Sequence, residues 1–145
     1  MNFRLPLCLL LALSLGACMD AFKKKEEAKN QPLKNVANDT TFQAFLGRLR
    51  IAVQKKDAPM ISSLMTADFG YTTEEGAQPG AQIFAYWDQH DLWPVLSHLL
   101  DQKFVPLDLY MVSPPAMATD PNYAGPRCGI RLERGSWKFA YFLPN

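Results

Sequence analysis

Cysteine and histidine are scarce in this chain, and their scarcity excludes several kinds of site. The 145 residues include three cysteines and two histidines. A zinc site draws on several Cys and His ligands, and His90 and His98 are not spaced so that one helix presents both. Beyond Cys18 only Cys128 remains, which leaves no pair for a disulfide within that part of the chain. The sequence therefore predicts no metal site.

Recognisable catalytic motifs and charge bias are also missing. The chain has no Gly-rich phosphate loop, no dinucleotide-binding fingerprint and no Ser-His-Asp arrangement. Its formal net charge is +1, and Arg4 near the N-terminus accounts for that excess. A balanced chain gives no electrostatic reason to expect nucleic acid as a partner. We therefore predict neither a cofactor nor a nucleic-acid partner.

The N-terminus is the most informative stretch of the sequence. Arg4 supplies a positive charge, and the apolar run over residues 5–15 is too short to span a bilayer. An aliphatic residue and two small residues then precede a cysteine in the motif LGAC, which ends at Cys18. This order resembles the lipobox of bacterial lipoproteins. The resemblance implies a signal peptide over residues 1–17, cleavage before Cys18, and a membrane anchor formed by lipid such as palmitate on its thiol.

The residues after the lipidated cysteine bear on where such a protein resides. In this family an Asp directly after the cysteine favours the inner membrane, whereas here Met19 follows and Asp20 comes one place later. The resemblance therefore implies the outer membrane, facing the periplasm, with the inner membrane as the alternative. Three segments are predicted: a signal peptide (1–17), the lipidated cysteine with a flexible polar tether (18–38), and a single domain (39–145).

Helical patterns dominate the first half of the domain. Apolar residues spaced three and four apart predict an amphipathic helix that begins near Thr40. A second, short helix is predicted to begin at residues 57–59, with Pro59 in its first turn. Two more helices are predicted over residues 81–90 and 91–101. A short strand is predicted at residues 69–72, between the second and third helices.

The last third of the domain has the two-residue period of strands. The sequence predicts one strand over residues 107–112 and a long loop over residues 116–126. A final hairpin turns at Arg134-Gly135, and its predicted cross-strand pairs are Leu132 with Trp137, Ile130 with Phe139, and Cys128 with Tyr141. The predicted fold class is α+β, with N-terminal amphipathic helices packed on a small antiparallel sheet of at most four strands that ends in a β-hairpin.

Three local patterns resemble NTF2-like (SnoaL-like) domains. They are the inter-helix turn QKKDA at residues 54–58, the aromatic strand DFGY at residues 68–71, and the ending GSWKF at residues 135–139. The resemblance covers residues 40–145 and implies a cone-shaped fold with a pocket between the helices and a curved sheet. Members of that family include enzymes and non-catalytic binding proteins, so the resemblance implies no single function.

The densest polar cluster is DQHD at residues 88–91. Asp88 and His90 are candidates for an acid–base pair, as the resemblance to dehydratases and isomerases of the NTF2-like family implies. Trp87 and Trp93 are candidates for lining a pocket there. The alternative is a polar helix end beside core aromatics. An enzyme requires His90 inside a concave pocket, whereas a binding module leaves it free to point into water.

Two interpretations of function follow from these patterns. The favoured one is a membrane-anchored, non-catalytic envelope lipoprotein whose domain binds a protein or a small ligand. The alternative is a small pocket enzyme of lyase or isomerase type that uses Asp88 and His90. Cys128 alternates with apolar residues, so we interpret it as a buried side chain, with a reactive thiol as the alternative.

Overall fold

The computed structural model describes Val36 and residues 39–70 and 82–144. The predicted signal peptide, Cys18 and almost all of the predicted tether lie outside the described residues, as does the end of the strand predicted at residues 69–72. All described residues belong to one compact unit, Pro32–Asn145.

Helices account for most of the first half of the described chain. They are α1 (Thr40–Gln54), α2 (Ala58–Leu64), α3 (Gln82–Gln89), α4 (Leu92–Asp101) and α5 (Ala116–Thr119). The first four lie where the sequence predicts helices, and α5 lies at the start of the predicted long loop. Asp39 and Asp57 cap α1 and α2, since their carboxylates accept hydrogen bonds from backbone N–H groups of the first turn. Among the described residues, no helix has the length and apolarity to cross a bilayer.

The described strands form a mixed five-stranded sheet. They are β1 (Met65–Gly70), β2 (Val105–Leu107), β3 (Tyr110–Ser113), β4 (Arg127–Glu133) and β5 (Ser136–Leu143), in the spatial order β1-β5-β4-β3-β2. Strands β2 to β5 pair antiparallel with their neighbours, whereas β1 runs parallel to β5. The α+β class is confirmed, but the prediction of an antiparallel sheet with at most four strands is wrong.

The extra strand arises in the segment predicted as one strand over residues 107–112. Here the chain reverses between Leu107 and Tyr110, which pair with each other across β2 and β3. Asp108 makes the reversal with a φ of 52°, in the left-handed region that Asp tolerates better than most residues. The two-residue period continues through this turn, so the period alone did not reveal a hairpin.

The final hairpin has the predicted register near its turn. Leu132 pairs with Trp137 and Ile130 with Phe139, as predicted. The turn is formed by Arg134 and Gly135, both with positive φ, at 50° and 81°. Two positive φ angles suit a tight turn whose twist matches that of the flanking strands.

Farther from the turn, a β-bulge shifts the hairpin register. Cys128 pairs with Phe142 and Gly129 pairs with Tyr141, so the predicted pair of Cys128 with Tyr141 is wrong. Ala140 is the extra residue on β5 between two successive pairs. A bulge reverses the faces of all residues beyond it. Phe142 therefore lies in the core, and Tyr141 lies on the opposite face of the sheet.

One face of the sheet and helices α1 to α4 enclose a core rich in aromatic side chains. Its largest fully buried side chains include Trp87, Phe42, Phe45, Phe139 and Phe142. Edge-to-face contacts join several of these rings, with centroids 5.4 Å apart for Trp87 and Phe142. The space between helices and sheet, where the NTF2-like resemblance implies a pocket, is thus occupied by side chains.

Candidate functional site

Asp88 lies on the protein surface at the end of α3, with 57% of its side chain exposed. Its Oδ1 accepts hydrogen bonds from Lys56 Nζ at 3.0 Å and from Trp93 Nε1 at 2.8 Å. The hydrogen bond from Lys56, with that from Trp93, lowers the pKa of the Asp88 carboxyl. A carboxylate whose charge is stabilised in this way is a weaker proton acceptor, so this contact makes Asp88 a poor general base.

His90 is exposed just beyond α3, and its ring lies against Tyr86 with centroids 4.0 Å apart. Within the described part of the chain, no hydrogen bond joins its side chain to Asp88. Neither residue lines any of the four main cavities on that part of the chain. The structure therefore places these two sequence-predicted residues near each other without forming an acid–base pair in a cavity.

Trp87 and Trp93 belong to the hydrophobic core. Trp87 is 0% exposed and Trp93 is 5% exposed, and their rings meet edge to face at 5.1 Å. Trp93 also stacks on Phe84 with nearly parallel rings. The indole of Trp93 links the core to the surface, because its Nε1 donates to Asp88. Their contacts are those of core residues, the alternative weighed for them in the sequence.

A groove of about 290 Å³ lies on the sheet face opposite the helical core. We call it the tyrosine groove, and it is lined by Leu107, Asp108, Tyr110, Val112, Met117, Tyr141 and Leu143. Most of its lining is apolar. The rings of Tyr110 and Tyr141 meet edge to face with centroids 5.5 Å apart and form its most extensive aromatic surface.

The bulge in β5 and a glycine in β4 create this groove. The bulge turns Tyr141 to the outer face, where its ring lies across Gly129. A Cβ atom at Gly129 would stand only 2.2 Å from Tyr141 Cε1, so any other residue there would displace the ring. The Tyr141 hydroxyl reaches Met117 Sδ in α5 at 3.6 Å, so α5 covers one side of the groove.

Charge around the tyrosine groove is partly compensated by neighbouring strands. Arg131 faces Lys138 across the hairpin, and acidic side chains lie beside it. Arg131 Nη2 lies 2.7 Å from Asp68 Oδ1 of β1 and 3.6 Å from Glu133 Oε1. The hydrogen bond from Arg131 is the main cause that lowers the pKa of Asp68. Arg131 is therefore already paired and is not a vacant anion site.

The tyrosine groove has little of the chemistry that catalysis requires. Burial raises the pKa of Tyr141, so its hydroxyl stays neutral at physiological pH. Of the residues that the structure describes, Asp108 is the only carboxylate that lines the groove, and no histidine or cysteine lines it. Among the described residues, no group of three His, Cys, Asp or Glu side chains could hold a metal ion. The arrangement can hold an apolar group but offers no pair for proton transfer.

Other cavities lie elsewhere on the described part of the chain. One of about 600 Å³, between α2 and the β4–β5 turn, is lined largely by hydroxyl and charged side chains such as Ser62 and Arg134. Another of about 520 Å³ lies between α4 and residues 123–126 and includes His98. Neither combines apolar walls with paired aromatic rings, so the tyrosine groove is the stronger candidate for recognition.

We expect Cys128 to be chemically inert in the folded protein. Its side chain is fully buried, and burial raises the pKa of its thiol, so the reactive thiolate is scarce. Treatment with iodoacetamide at neutral pH should leave Cys128 unmodified in native protein and label it in urea, as read by mass spectrometry of its peptide. Rapid labelling of the native protein would favour the reactive-thiol alternative.

Sequence reasoning missed the tyrosine groove because residues from distant parts of the chain form it. The predicted pair with Cys128 puts Tyr141 on the core face, and Met117 lies in a predicted loop. One signal was available: an isolated glycine inside a strand, here Gly129, often marks a bulge or a close backbone approach. No family model, curated protein or solved structure is significantly similar to this chain.

Proposed function

We propose that this chain is a membrane-anchored lipoprotein of the bacterial cell envelope whose domain of residues 39–145 is a non-catalytic binding module. The LGAC motif that ends at Cys18 supports the anchor. The tyrosine groove is the observation that supports binding. Its ligand is a small molecule or a side chain of an envelope protein, held by apolar contact with Tyr110 and Tyr141.

The shape of the groove favours binding over catalysis. Its volume of about 290 Å³ is near the lower limit of small-ligand pockets, which begin at roughly 300 Å³. Tyrosine supplies a large, rigid contact surface with only two side-chain torsions to order, and it is enriched in binding sites for that reason. Such a groove suits a single apolar group that is held and released unchanged.

The proposal extends to the fold, which we assign to a filled variant of the NTF2-like cone. The order α1, α2, β1 followed by a sheet that ends in the β4–β5 hairpin supports it. The bulge at Ala140 supplies the kind of local bend that curves a sheet. In this variant aromatic side chains occupy the interior of the cone, and recognition takes place on the outer face. An experimental structure that superposes poorly on family members would contradict the assignment.

Replacing Cys18 by serine is expected to abolish the membrane anchor. Serine lacks the thiol that takes the lipid, so labelled palmitate should not be incorporated and the signal peptide should not be cleaved before residue 18. Membrane fractionation should place the wild-type protein in the outer membrane. The proposed anchor fails if Cys18→Ser still carries palmitate, and recovery in the inner membrane would change only the assigned location.

Replacing Tyr110 by alanine is expected to weaken binding of an apolar probe such as phenethyl alcohol. Tyr110 is half-buried, so its loss removes one aromatic wall of the groove without emptying the core. Loss of one aromatic contact should lower affinity by about two- to tenfold, in line with roughly 0.5–1.5 kcal/mol for such pairs. Titration monitored by NMR of fluorotyrosine-labelled protein gives the dissociation constants.

Tyr123→Ala is the matched control for the binding experiment. Tyr123 is also half-buried, but its hydroxyl bonds to the Pro126 carbonyl and it lines a different cavity. The Tyr123→Ala variant should bind the probe with the same affinity as the wild type. Binding that Tyr123→Ala weakens and Tyr110→Ala leaves intact would move the site to the α4 cavity. Perturbation centred on the signal of Tyr86, whose ring lies against that of His90, would instead support the enzyme interpretation.

A further inference from the structure

An uncompensated negative charge lies at one end of the tyrosine groove. Asp108 is exposed in the β2–β3 turn and lines the groove beside Leu107 and Tyr110. Among the described residues, no ion pair or hydrogen bond engages its carboxylate. A carboxylate beside apolar walls attracts a positively charged group, and part of that attraction survives at the edge of a low-dielectric surface.

Two arginines lie near the groove, and neither leaves an uncompensated positive charge at its Asp108 end. Arg131 reaches the groove through a side-chain hydrogen bond with Tyr110, but Asp68 and Glu133 compensate its charge. Arg127 donates to the Gly125 carbonyl at 3.0 Å. The register places it at the end of the groove away from Asp108, because it pairs with Leu143 whereas Arg131 pairs with Tyr110. The Asp108 end of the groove is therefore the end that favours a cation.

The aromatic walls favour the same kind of ligand. The face of a tyrosine ring carries partial negative charge and attracts ammonium groups within roughly 6 Å of its centre. Tyr110 lies two residues from Asp108, so a ring and a carboxylate adjoin the same end of the groove. The remaining lining, which includes Val112 and Met117, is apolar and suits a hydrocarbon body.

We propose that the tyrosine groove binds an organic cation with an apolar body, placing the charged group beside Asp108 and the body against Tyr110 and Tyr141. This inference rests on the proposed binding function and adds the charge of the ligand to it. It predicts a preference that depends on one carboxylate and that salt weakens, because an exposed charge is screened by ions.

Three probes with similar bodies and different charges test the inference: phenethylammonium, phenethyl alcohol and hydrocinnamate. They are titrated at low salt into the full-length protein in zwitterionic nanodiscs, with fluorotyrosine signals assigned to Tyr110 and Tyr141. We expect the ammonium to bind about two- to fivefold more tightly than the alcohol, the range of an exposed charge pair. Hydrocinnamate should bind most weakly, and added salt should reduce the differences.

Asp108→Asn should remove the preference for the ammonium and leave the affinity for the alcohol unchanged. Asp91→Asn is the matched control, since Asp91 is exposed and has a φ of 51°, close to the 52° of Asp108. The Asp91→Asn variant should still bind the ammonium more tightly than the alcohol. Equal binding of ammonium and alcohol by the wild type, tighter binding of hydrocinnamate, or a preference that persists in Asp108→Asn would overturn the inference and leave the binding function intact. Failure of all three probes would overturn the binding function itself.

Discussion

Replacing Trp87 by alanine is expected to lower the free energy of unfolding by about 3–5 kcal/mol, the range for removal of a buried Trp or Phe side chain. Trp87 is 0% exposed. Its ring packs edge to face on Phe84, Trp93 and Phe142, with centroid distances of 5.3, 5.1 and 5.4 Å. Alanine leaves these rings without their common neighbour. Urea denaturation followed by circular dichroism measures the loss.

Two further variants show whether the loss comes from the cavity. Among the described residues, Trp87 Nε1 has no hydrogen-bond partner. Phenylalanine removes this buried donor, whose desolvation is unfavourable, while it retains a ring. Trp87→Phe should therefore lose less than half as much stability as Trp87→Ala. Ile51→Ala, at a side chain that is 54% exposed, should change stability by roughly 0.5 kcal/mol or less.

A small effect of Trp87→Ala would change the interpretation of this residue. If stability fell by less than about 1 kcal/mol, the ring would not be part of a close-packed core. The other prediction for Trp87, that it lines a pocket beside Asp88, would then be favoured. A loss of the expected size, together with unchanged binding of phenethyl alcohol, would separate the core from the tyrosine groove.

The helices could be predicted because their signal is local. The apolar residues of α1 recur three and four positions apart, and the structure buries Phe42, Phe45 and Leu49 among them. This spacing is present in the sequence itself and does not depend on which element packs against the helix. The same reasoning located α4, although it could not show that Trp93 donates a hydrogen bond across to Asp88.

The contacts of Asp88 could not be predicted because they depend on tertiary structure. The sequence places His90 two residues away and suggests an acid–base pair. In the structure the partner of Asp88 is Lys56, which lies 32 positions earlier in the chain. Lys56 also stands 5.6 Å from the centre of the Trp93 ring. These contacts arise where the turn between α1 and α2 meets the junction of α3 and α4, and no local spacing in the sequence predicts them.

In the sheet, the two-residue period predicts some cross-strand pairs correctly and others wrongly. It predicted the hairpin pairs next to the turn at Arg134-Gly135, because a tight turn fixes the register of the residues beside it. The period could not predict on which face of the sheet the side chains beyond Phe139 lie, because one inserted residue moves every later side chain to the opposite face. The tyrosine groove exists because of this reversal, so the fold class was predictable while its candidate site was not.

Deleting Lys138 is expected to lower the free energy of unfolding by about 3–5 kcal/mol, whereas deleting Ala140 should lower it by about 1–2 kcal/mol. Lys138 lies in the regular part of β5, so its deletion moves Trp137 to the outer face and out of contact with Phe42, now 5.1 Å away. Deleting Ala140 removes only the bulged residue. The pairs of Tyr141 and its successors with β4 are retained, and so are their faces.

The comparison tests the bulge because the two deletions remove neighbouring residues of one strand. Lys138→Ala controls for the side chain, whose Nζ donates to the Ser63 carbonyl at 2.8 Å, and should change stability by less than about 1 kcal/mol. If the two deletions lowered the free energy of unfolding equally, Ala140 would not be an extra residue. The assignment of Tyr141 to the outer face would then also be wrong. If Ala140 is the bulged residue, the variant that lacks it should keep Tyr141 in the groove and bind phenethyl alcohol. Gly129→Ala should not bind phenethyl alcohol, because the added methyl group displaces the Tyr141 ring.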